Sequence, residues 1–409
     1  MKEKFTKKVL DNGMTLLFEK RDLPVVSLAF AVRYGGVNES LEEKGIAHFI
    51  EHLLFKGTKN RTHSEISQQL EGVGGEINGF TDENITAYFA KLPSEHLKLG
   101  LDVLSDVVKN PLFDEKEIEK EIEKERKVIF EEIKMNKDSP IRYSIDKIQS
   151  LLYTGAFSER LIGNKETLNS LDRKKLVKKF NEIYKPKNMI LCVVGNSELS
   201  DIEKFAKENF LVSEKKEIDV PQQDFDLKND SKKETRKGID QTNIIFCYHV
   251  PFAGDKKSYA ARALIAFMAE GMSSRLFEEI REKRNLAYAV KGGSEIAKEF
   301  AHSFVYVGTT KENIEKVKEI ILEEYKKVFE DFSEKELKEI KERLIGNFKI
   351  STEDSSHQMI NLLYNEIGSN AEEFYDFEKK VSEITLDEIK EIAKNAYDKH
   401  SFFVLEPEE

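Results

Sequence analysis

Apolar and polar residues alternate in patterns that predict the same elements in both halves of the chain. Residues 25–36, VVSLAFAVRYGG, alternate and are rich in β-branched side chains, as is typical of a strand. Residues 242–252, TNIIFCYHVPF, have the same character. Each predicted strand is followed, after a gap, by a predicted helix. The two halves therefore begin alike.

A closer correspondence ends the halves. Residues 170–194 align with residues 383–407 at one constant offset of 213 positions. Each copy has a polar helix cap, Asp172 or Thr385, then an apolar-periodic helix of about twelve residues, a turn and an apolar strand. A shared cap, helix period and closing strand at one offset indicate an internal repeat, although a generic helix-strand unit is the alternative.

A charged segment lies between the two halves. Residues 214–238 contain few large apolar residues, and their composition predicts an exposed connector. We therefore predict an α+β fold of two homologous domains, 1–212 and 239–409, joined by a linker over 213–238. Each domain is expected to be a mostly antiparallel sheet with helices packed on one side.

Composition narrows the class of protein. With 39% hydrophobic and 34% charged residues in 409, the chain is expected to be globular rather than disordered. The formal net charge of -11 argues against nucleic-acid binding, because neutralising phosphates requires clustered Lys and Arg. We expect neither a signal peptide nor a membrane-spanning helix, since no apolar run is long enough. Cys192 and Cys247 alone predict no disulfide framework, so a cytoplasmic location is expected.

Residues 45–58, GIAHFIEHLLFKGT, contain the strongest chemical signal. His48, Glu51 and His52 have helical spacing i, i+3, i+4 and therefore share one face of the predicted helix. Two imidazoles one turn apart can both reach a zinc ion at about 2.0 to 2.1 Å, and the adjacent glutamate can polarise a bound water. The alternative is a pair of histidines without a metal. This HxxEH order is that of inverted zincins.

A third protein ligand is expected, because a catalytic zinc ion usually takes three and leaves a fourth position to water. Residues 114–136 predict a long helix with an isoleucine stripe and many glutamates. Most of these glutamates are expected on a solvated face with lysine partners. The residue pattern alone selects none of them.

HFIEH, together with ERKVIFEE at residues 125–132, resembles the pitrilysin family of inverted zincins, which includes insulin-degrading enzyme and mitochondrial processing peptidase. The resemblance implies that Glu132 is the third zinc ligand. It implies an accessory role for Glu125, seven residues earlier. The interval from His52 is slightly longer than usual in the family, so Glu131 stays an alternative.

The same resemblance implies residues that hold the substrate. Four of them are assigned to an edge strand that pairs with the peptide backbone: Asn78, Gly79, Phe80 and Thr81. Arg281 and Tyr288 are implied to hold a substrate carbonyl and to stabilise the oxyanion. By pattern alone, the segment that contains Asn78 to Thr81 is equally consistent with an ordinary hairpin. Arg281 is equally consistent with a surface residue, and Tyr288 with a core aromatic.

The resemblance covers nearly the whole chain and implies a zinc metalloendopeptidase of unstructured peptides, with one Zn2+ per chain and Glu51 as general base. Family members of full length enclose the substrate between two such halves. A half-length chain is therefore expected to form a homodimer around the peptide. Two alternatives are a non-catalytic structural or binding member of the family and the catalytic half of a heterodimer.

Overall fold

The strands of this computed structural model form two sheets, and the structure describes residues 4–114, 118–211 and 220–408. Within these ranges the strands are β1 Phe5–Val9, β2 Thr15–Lys20, β3 Val25–Val32, β4 Glu76–Thr81, β5 Thr86–Pro93, β6 Met189–Gly195, β7 Lys232–Arg236, β8 Thr242–His249, β9 Ala287–Ile296, β10 Ala301–Thr309 and β11 Ser401–Pro407.

The α-helices of the described residues are α1 Ile46–Leu54, α2 His63–Glu71, α3 Leu97–Lys109, α4 Ile118–Asp138, α5 Pro140–Ile145, α6 Lys147–Leu152, α7 Lys165–Ser170, α8 Arg173–Ile183, α9 Leu199–Asn209, α10 Ser258–Ala269, α11 Ile314–Asp331, α12 Glu334–Ser351, α13 Ser355–Gly368, α14 Phe377–Ser382 and α15 Leu386–Asp398. The predicted acidic helix is α4. Residues 115–117 of that prediction lie outside the described residues.

The two sheets have the same topology. The first has the strand order β1-β2-β6-β3-β5-β4, and the second has the order β7-β11-β8-β10-β9. Without β1, the two orders correspond strand for strand. In both sheets the first corresponding pair, β2 with β6 and β7 with β11, is parallel, and the remaining neighbours are antiparallel. The sheets therefore agree with the sequence repeat.

The ends of the repeat also match in detail. The Asp172 side chain accepts a hydrogen bond from the Lys175 backbone N–H at 2.8 Å and so caps α8. The Thr385 side chain accepts one from the Glu388 N–H at 3.3 Å and caps α15. Both caps satisfy a backbone donor that a helix start leaves without an intrahelical partner. The predicted caps are confirmed, and a closing strand, β6 or β11, follows each helix.

The chain divides into two compact units, each built from three segments. The first unit comprises Met1–Ile133, Glu159–Asp224 and Ser351–Tyr375, and the second comprises Lys134–Ser158, Phe225–Ile350 and Asp376–Glu409. The predicted boundaries at 212 and 239 follow the sequence repeat. The repeat gives no sign that each unit also contains a segment from the other half of the chain. Of the predicted linker, residues 213–219 lie outside the described residues, and β7 belongs to its remainder.

Helix α13 shows why a late segment belongs to the first unit. The hydroxyls of Ser27 on β3 and Ser355 on α13 are hydrogen bonded at 2.8 Å, and both residues are buried. Leu28 and Phe30 point to the opposite face of β3, because side chains alternate along a strand, and they belong to the main core. Helices therefore lie on both faces of the first sheet. The α+β class is confirmed, and the structure adds a second helical face to the predicted one.

Each unit has its own buried apolar core. In the first unit the core anchors α1 through six residues that are at most 2% exposed: Ile46, Ala47, Phe49, Ile50, Leu53 and Leu54. Burying several such side chains holds the helix firmly against the sheet. Among the described residues, no helix is both long enough and apolar enough to cross a membrane.

Candidate metal centre

Helix α1 presents a polar edge beside its apolar face. The apolar residues of α1 enter the core, whereas the side chains of His48 and His52 are 13% and 20% exposed. Because residues at i and i+4 lie one above the other on a helix, the two imidazoles are neighbours, and their ring centroids are 4.6 Å apart. The local sequence alone therefore produces the histidine pair.

Helix α4 brings two glutamates to the same place. Glu125 and Glu132 are seven residues apart, which is close to two helical turns, so they lie on one face of α4. The buried Arg126 guanidinium holds the helix by donating to the carbonyl oxygens of Leu168 and, at 3.0 Å, Leu171. The face that carries the two glutamates is thereby fixed toward α1.

The structure brings His48, His52 and Glu132 together as a donor group. Glu132 Oε2 lies 3.6 Å from His48 Nε2 and 3.7 Å from His52 Nε2, and the ligand atoms are all within 4.8 Å of one another. Ligands about 2.05 Å from a tetrahedral zinc ion are about 3.3 Å apart. The group therefore fits a zinc ion in size and in donor chemistry. Glu131 is exposed and is not part of this group.

The electrostatic setting favours neutral imidazole, the form that coordinates metals. Burial, together with the neighbouring His52, lowers the pKa of His48 to about 3. A buried imidazolium would be costly at this position, because little water reaches it. His48 is therefore uncharged near neutral pH.

A second layer of contacts orients His52. Its Nδ1 lies 3.1 Å from Glu125 Oε2, and Lys56 Nζ lies 2.9 Å from Glu125 Oε1. Burial acts to raise the pKa of Glu125, but the hydrogen bonds from His52 and Lys56 outweigh it and the pKa is lowered. An ionised carboxylate only accepts hydrogen bonds, so Nδ1 carries the hydrogen and Nε2 is left to bind a metal. Sequence reasoning missed Lys56, whose only signal is a basic residue one turn after His52.

Glu51 is held by β4. The Thr81 hydroxyl donates to Glu51 Oε2 at 2.8 Å. At Gly79 a Cβ atom would lie 3.2 Å from Glu51 Oε1 and 2.8 Å from the Phe55 ring, so a side chain there would require one of these two groups to move. Burial raises the pKa of Glu51, against the lowering effect of Thr81 and His52. A half-buried carboxylate beside the donor group can act as a base.

Strand β4 forms one edge of the first sheet. Among the described residues it pairs only with β5, in register from Glu76 to Thr81. The four residues predicted to pair with substrate all lie on it: Asn78, Gly79, Phe80 and Thr81. Gly79 and Thr81 face Glu51, whereas the Phe80 ring packs 6.1 Å from the ring of Phe89. The outer edge can accept an added strand.

Arg281 and Tyr288 belong to the second unit, whereas the donor group belongs to the first. The Arg281 guanidinium lies over the Phe277 ring at 4.7 Å. Tyr288 lies on the edge strand β9 at a bulge, is 45% exposed, and has its hydroxyl 3.2 Å from that of Tyr306. A Cβ at Gly308 would approach the Tyr288 ring to 2.5 Å, so glycine there makes room for the ring.

The fold and the donor group together define a class of protein: two α+β units that share one sheet topology, with a candidate zinc-peptidase centre in the first unit. Comparison with known protein families agrees with this class. Residues 15–163 match the family model described as Insulinase (Peptidase family M16), and residues 170–344 match the one described as Peptidase M16 inactive domain. The chain belongs to peptidase family M16, and the predicted membership in the pitrilysin family is confirmed.

Relatives described as zinc proteases align with this chain over most of their own length and support the family assignment. A protein of Bacillus subtilis described as an uncharacterized zinc protease, YmxG, is 30% identical over 85% of this chain and 84% of its own. A Rickettsia felis protein of the same description is 29% identical over 97% of this chain and 92% of its own. The crystal structure of a protease from Helicobacter pylori is similar in fold, with a TM-score of 0.89, 23% identity and 99% coverage of both chains.

Proposed function

We propose that this protein is a zinc-dependent metalloendopeptidase that hydrolyses peptide bonds in unstructured peptides. The observation that carries the proposal is the convergence of the His48, His52 and Glu132 ligand atoms within 4.8 Å, beside Glu51. The zinc-protease descriptions of its relatives support the same chemistry.

The residues of the centre divide the chemistry among them. A zinc ion held by His48, His52 and Glu132 would polarise the scissile carbonyl and lower the pKa of a water. Glu51 accepts the proton of the attacking water and transfers it to the leaving amine nitrogen as the C–N bond breaks. The Thr81 hydroxyl holds the Glu51 carboxylate in one orientation for both transfers.

The substrate class follows from the edge strand. A peptide added beside β4 is held through main-chain hydrogen bonds, which carry little sequence information. Folded proteins seldom offer a free extended segment, because their backbone groups are already paired. The proposed substrates are therefore unstructured peptides of varied sequence.

Cleavage of a quenched unstructured peptide tests the proposed function. The zinc-loaded protein is expected to cleave it, to lose activity after treatment with a zinc chelator, and to regain it when Zn2+ is restored. A compact folded protein serves as control and is expected to stay intact. Absent or chelator-insensitive cleavage by the zinc-loaded protein would overturn the proposal in favour of a non-catalytic binding member.

We also propose that the active form is a homodimer in which Arg281 and Tyr288 of one chain serve the metal centre of the other. Support comes from the family resemblance and from the presence of both sets of residues in one chain. A guanidinium and a phenol are suited to holding a carbonyl oxygen as it gains negative charge.

Mixing two inactive variants tests this assembly. Glu51→Gln and Tyr288→Phe are each expected to have little activity, whereas their mixture should recover part of it through dimers with one intact centre. Exchange of subunits is verified by size and by a tag on one variant. No recovery in verified mixed dimers would contradict action across the two chains.

A further inference from the structure

Helix α1 starts without the side-chain cap that helix N-termini usually have. Its N-cap residue is Gly45, which has φ 93° and contributes no side-chain hydrogen bond. A Cβ at Gly45 would lie 2.7 Å from the Ile162 carbonyl oxygen. Serine, threonine and aspartate, the usual caps, are therefore excluded from this position. The backbone donors at the helix start need another acceptor.

Glu39 supplies that acceptor from outside the helix. Its Oε1 accepts from the Ala47 N–H at 2.8 Å, and its Oε2 accepts from the Gly45 N–H at 3.0 Å. Glu39 is fully buried, so no water competes for these bonds. A carboxylate at this end of a helix also interacts favourably with the helix dipole.

Lys44 provides the matching positive charge. It is fully buried too, with its Nζ 4.0 Å from Glu39 Oε2 and donating to the Gly36 carbonyl at 2.7 Å. Burial raises the pKa of Glu39 to about 7, against the opposing effects of Lys44 and the two N–H groups. Burying two charges is costly, and apolar side chains would avoid that cost. The pair therefore does something that apolar residues cannot do.

We propose that Glu39, with Lys44 as its counter-ion, is a positioning residue that fixes where α1 begins and thereby sets His48 and His52 against Glu132. The inference deepens the proposed function and rests on it. His48 directly follows Ala47, whose N–H is bound to Glu39. A helix turns by about 100° per residue, so a register shift of α1 by one residue against its surroundings would turn both imidazoles away from the donor group.

The variant Glu39→Gln tests the role through zinc affinity, measured by competition with a chelator of known affinity. Glutamine has one acceptor oxygen where the carboxylate has two, and its NH2 would face a backbone N–H. We expect zinc binding about 10- to 100-fold weaker, as for loss of a residue that orients ligands. Zinc binding by folded Glu39→Gln with the affinity of the unmodified protein would overturn the inference.

Val107→Ala is the matched control for lost stability. Val107 is fully buried in the same core but lies on α3. Truncating it is expected to lower the unfolding temperature and to leave zinc affinity unchanged. Equal loss of affinity in both variants would assign the effect of Glu39 to general destabilisation and would also overturn the inference.

A second measurement needs no variant, and so covers the case in which Glu39→Gln does not fold. In the metal-free, full-length protein, the Gly45 and Ala47 amides are expected to exchange hydrogen slowly, as bonded buried groups do. Exchange at the rate of unbonded surface amides would refute the Glu39 contacts. If the unmodified protein binds no zinc, the proposed function fails, while slow exchange of these amides still upholds the Glu39 cap.

Discussion

Glu51→Gln is expected to lower kcat by about 100- to 10,000-fold, the range that general acid-base groups contribute. The amide cannot take the proton of the attacking water. Its oxygen can still accept the hydrogen bond that the Thr81 hydroxyl donates to Glu51 at 2.8 Å. The side chains differ little in size, so the close fit against Gly79 is kept. The variant should therefore fold normally and be inactive.

Zinc content separates this effect from damage to the centre. Glu51 is not one of the three grouped donors, so Glu51→Gln should bind one zinc per chain and unfold at nearly the normal temperature. Glu71→Gln, at an exposed position on α2, makes the same chemical change and should be fully active. A zinc-loaded Glu51→Gln protein with more than about a tenth of normal kcat would rule out Glu51 as the base.

The local part of the site is predictable from sequence, because helical spacing determines it. Residues four apart in a helix lie on the same face, so His48 and His52 do, and the apolar residues between them predict which face enters the core. The repeat predicts the common sheet topology, since caps, helices and strands recur at one offset. The shared helical face, and the cap, helix and strand within each copy of the repeat, depend on residues that are near one another in the chain.

The long-range part is not predictable in this way. The glutamates of α4 look alike in sequence. In the structure, the packing of α4 on α1, with the Arg126 guanidinium 5.4 Å from the centre of the Phe49 ring, brings Glu132 to the histidines. At the level of the sequence, Glu132 is implied by the family resemblance and not by the residue pattern. Lys56 contacts Glu125, which is distant in sequence, and Glu39 contacts backbone N–H groups, which any residue type provides. No sequence motif therefore indicates either residue. The sequence repeat does not predict that residues 134–158 belong to the second unit and residues 351–375 to the first, because an offset compares sequences and not positions in space.

Glu132→Ala is expected to abolish activity by removing zinc. Of the donor atoms in the group, Glu132 Oε2 is the one from α4, and it lies 3.6 and 3.7 Å from the two histidine nitrogens. Without it, two imidazoles on one helix are left to hold the ion. Zinc affinity should fall by more than the roughly 10- to 100-fold that loss of an outer partner costs. Metal analysis after dialysis and peptide cleavage measure the two losses.

Glu131→Ala is the matched control, since the family spacing alone leaves Glu131 and Glu132 as alternatives. The two glutamates are adjacent on α4 and carry the same charge, but successive helical residues point about 100° apart. Glu131 is exposed, whereas Glu132 is half-buried beside the histidines. Glu131→Ala should therefore keep its zinc and most of its activity. The opposite pattern, with zinc lost from Glu131→Ala and retained by Glu132→Ala, would move the third ligand to Glu131 and require α4 to be turned relative to α1.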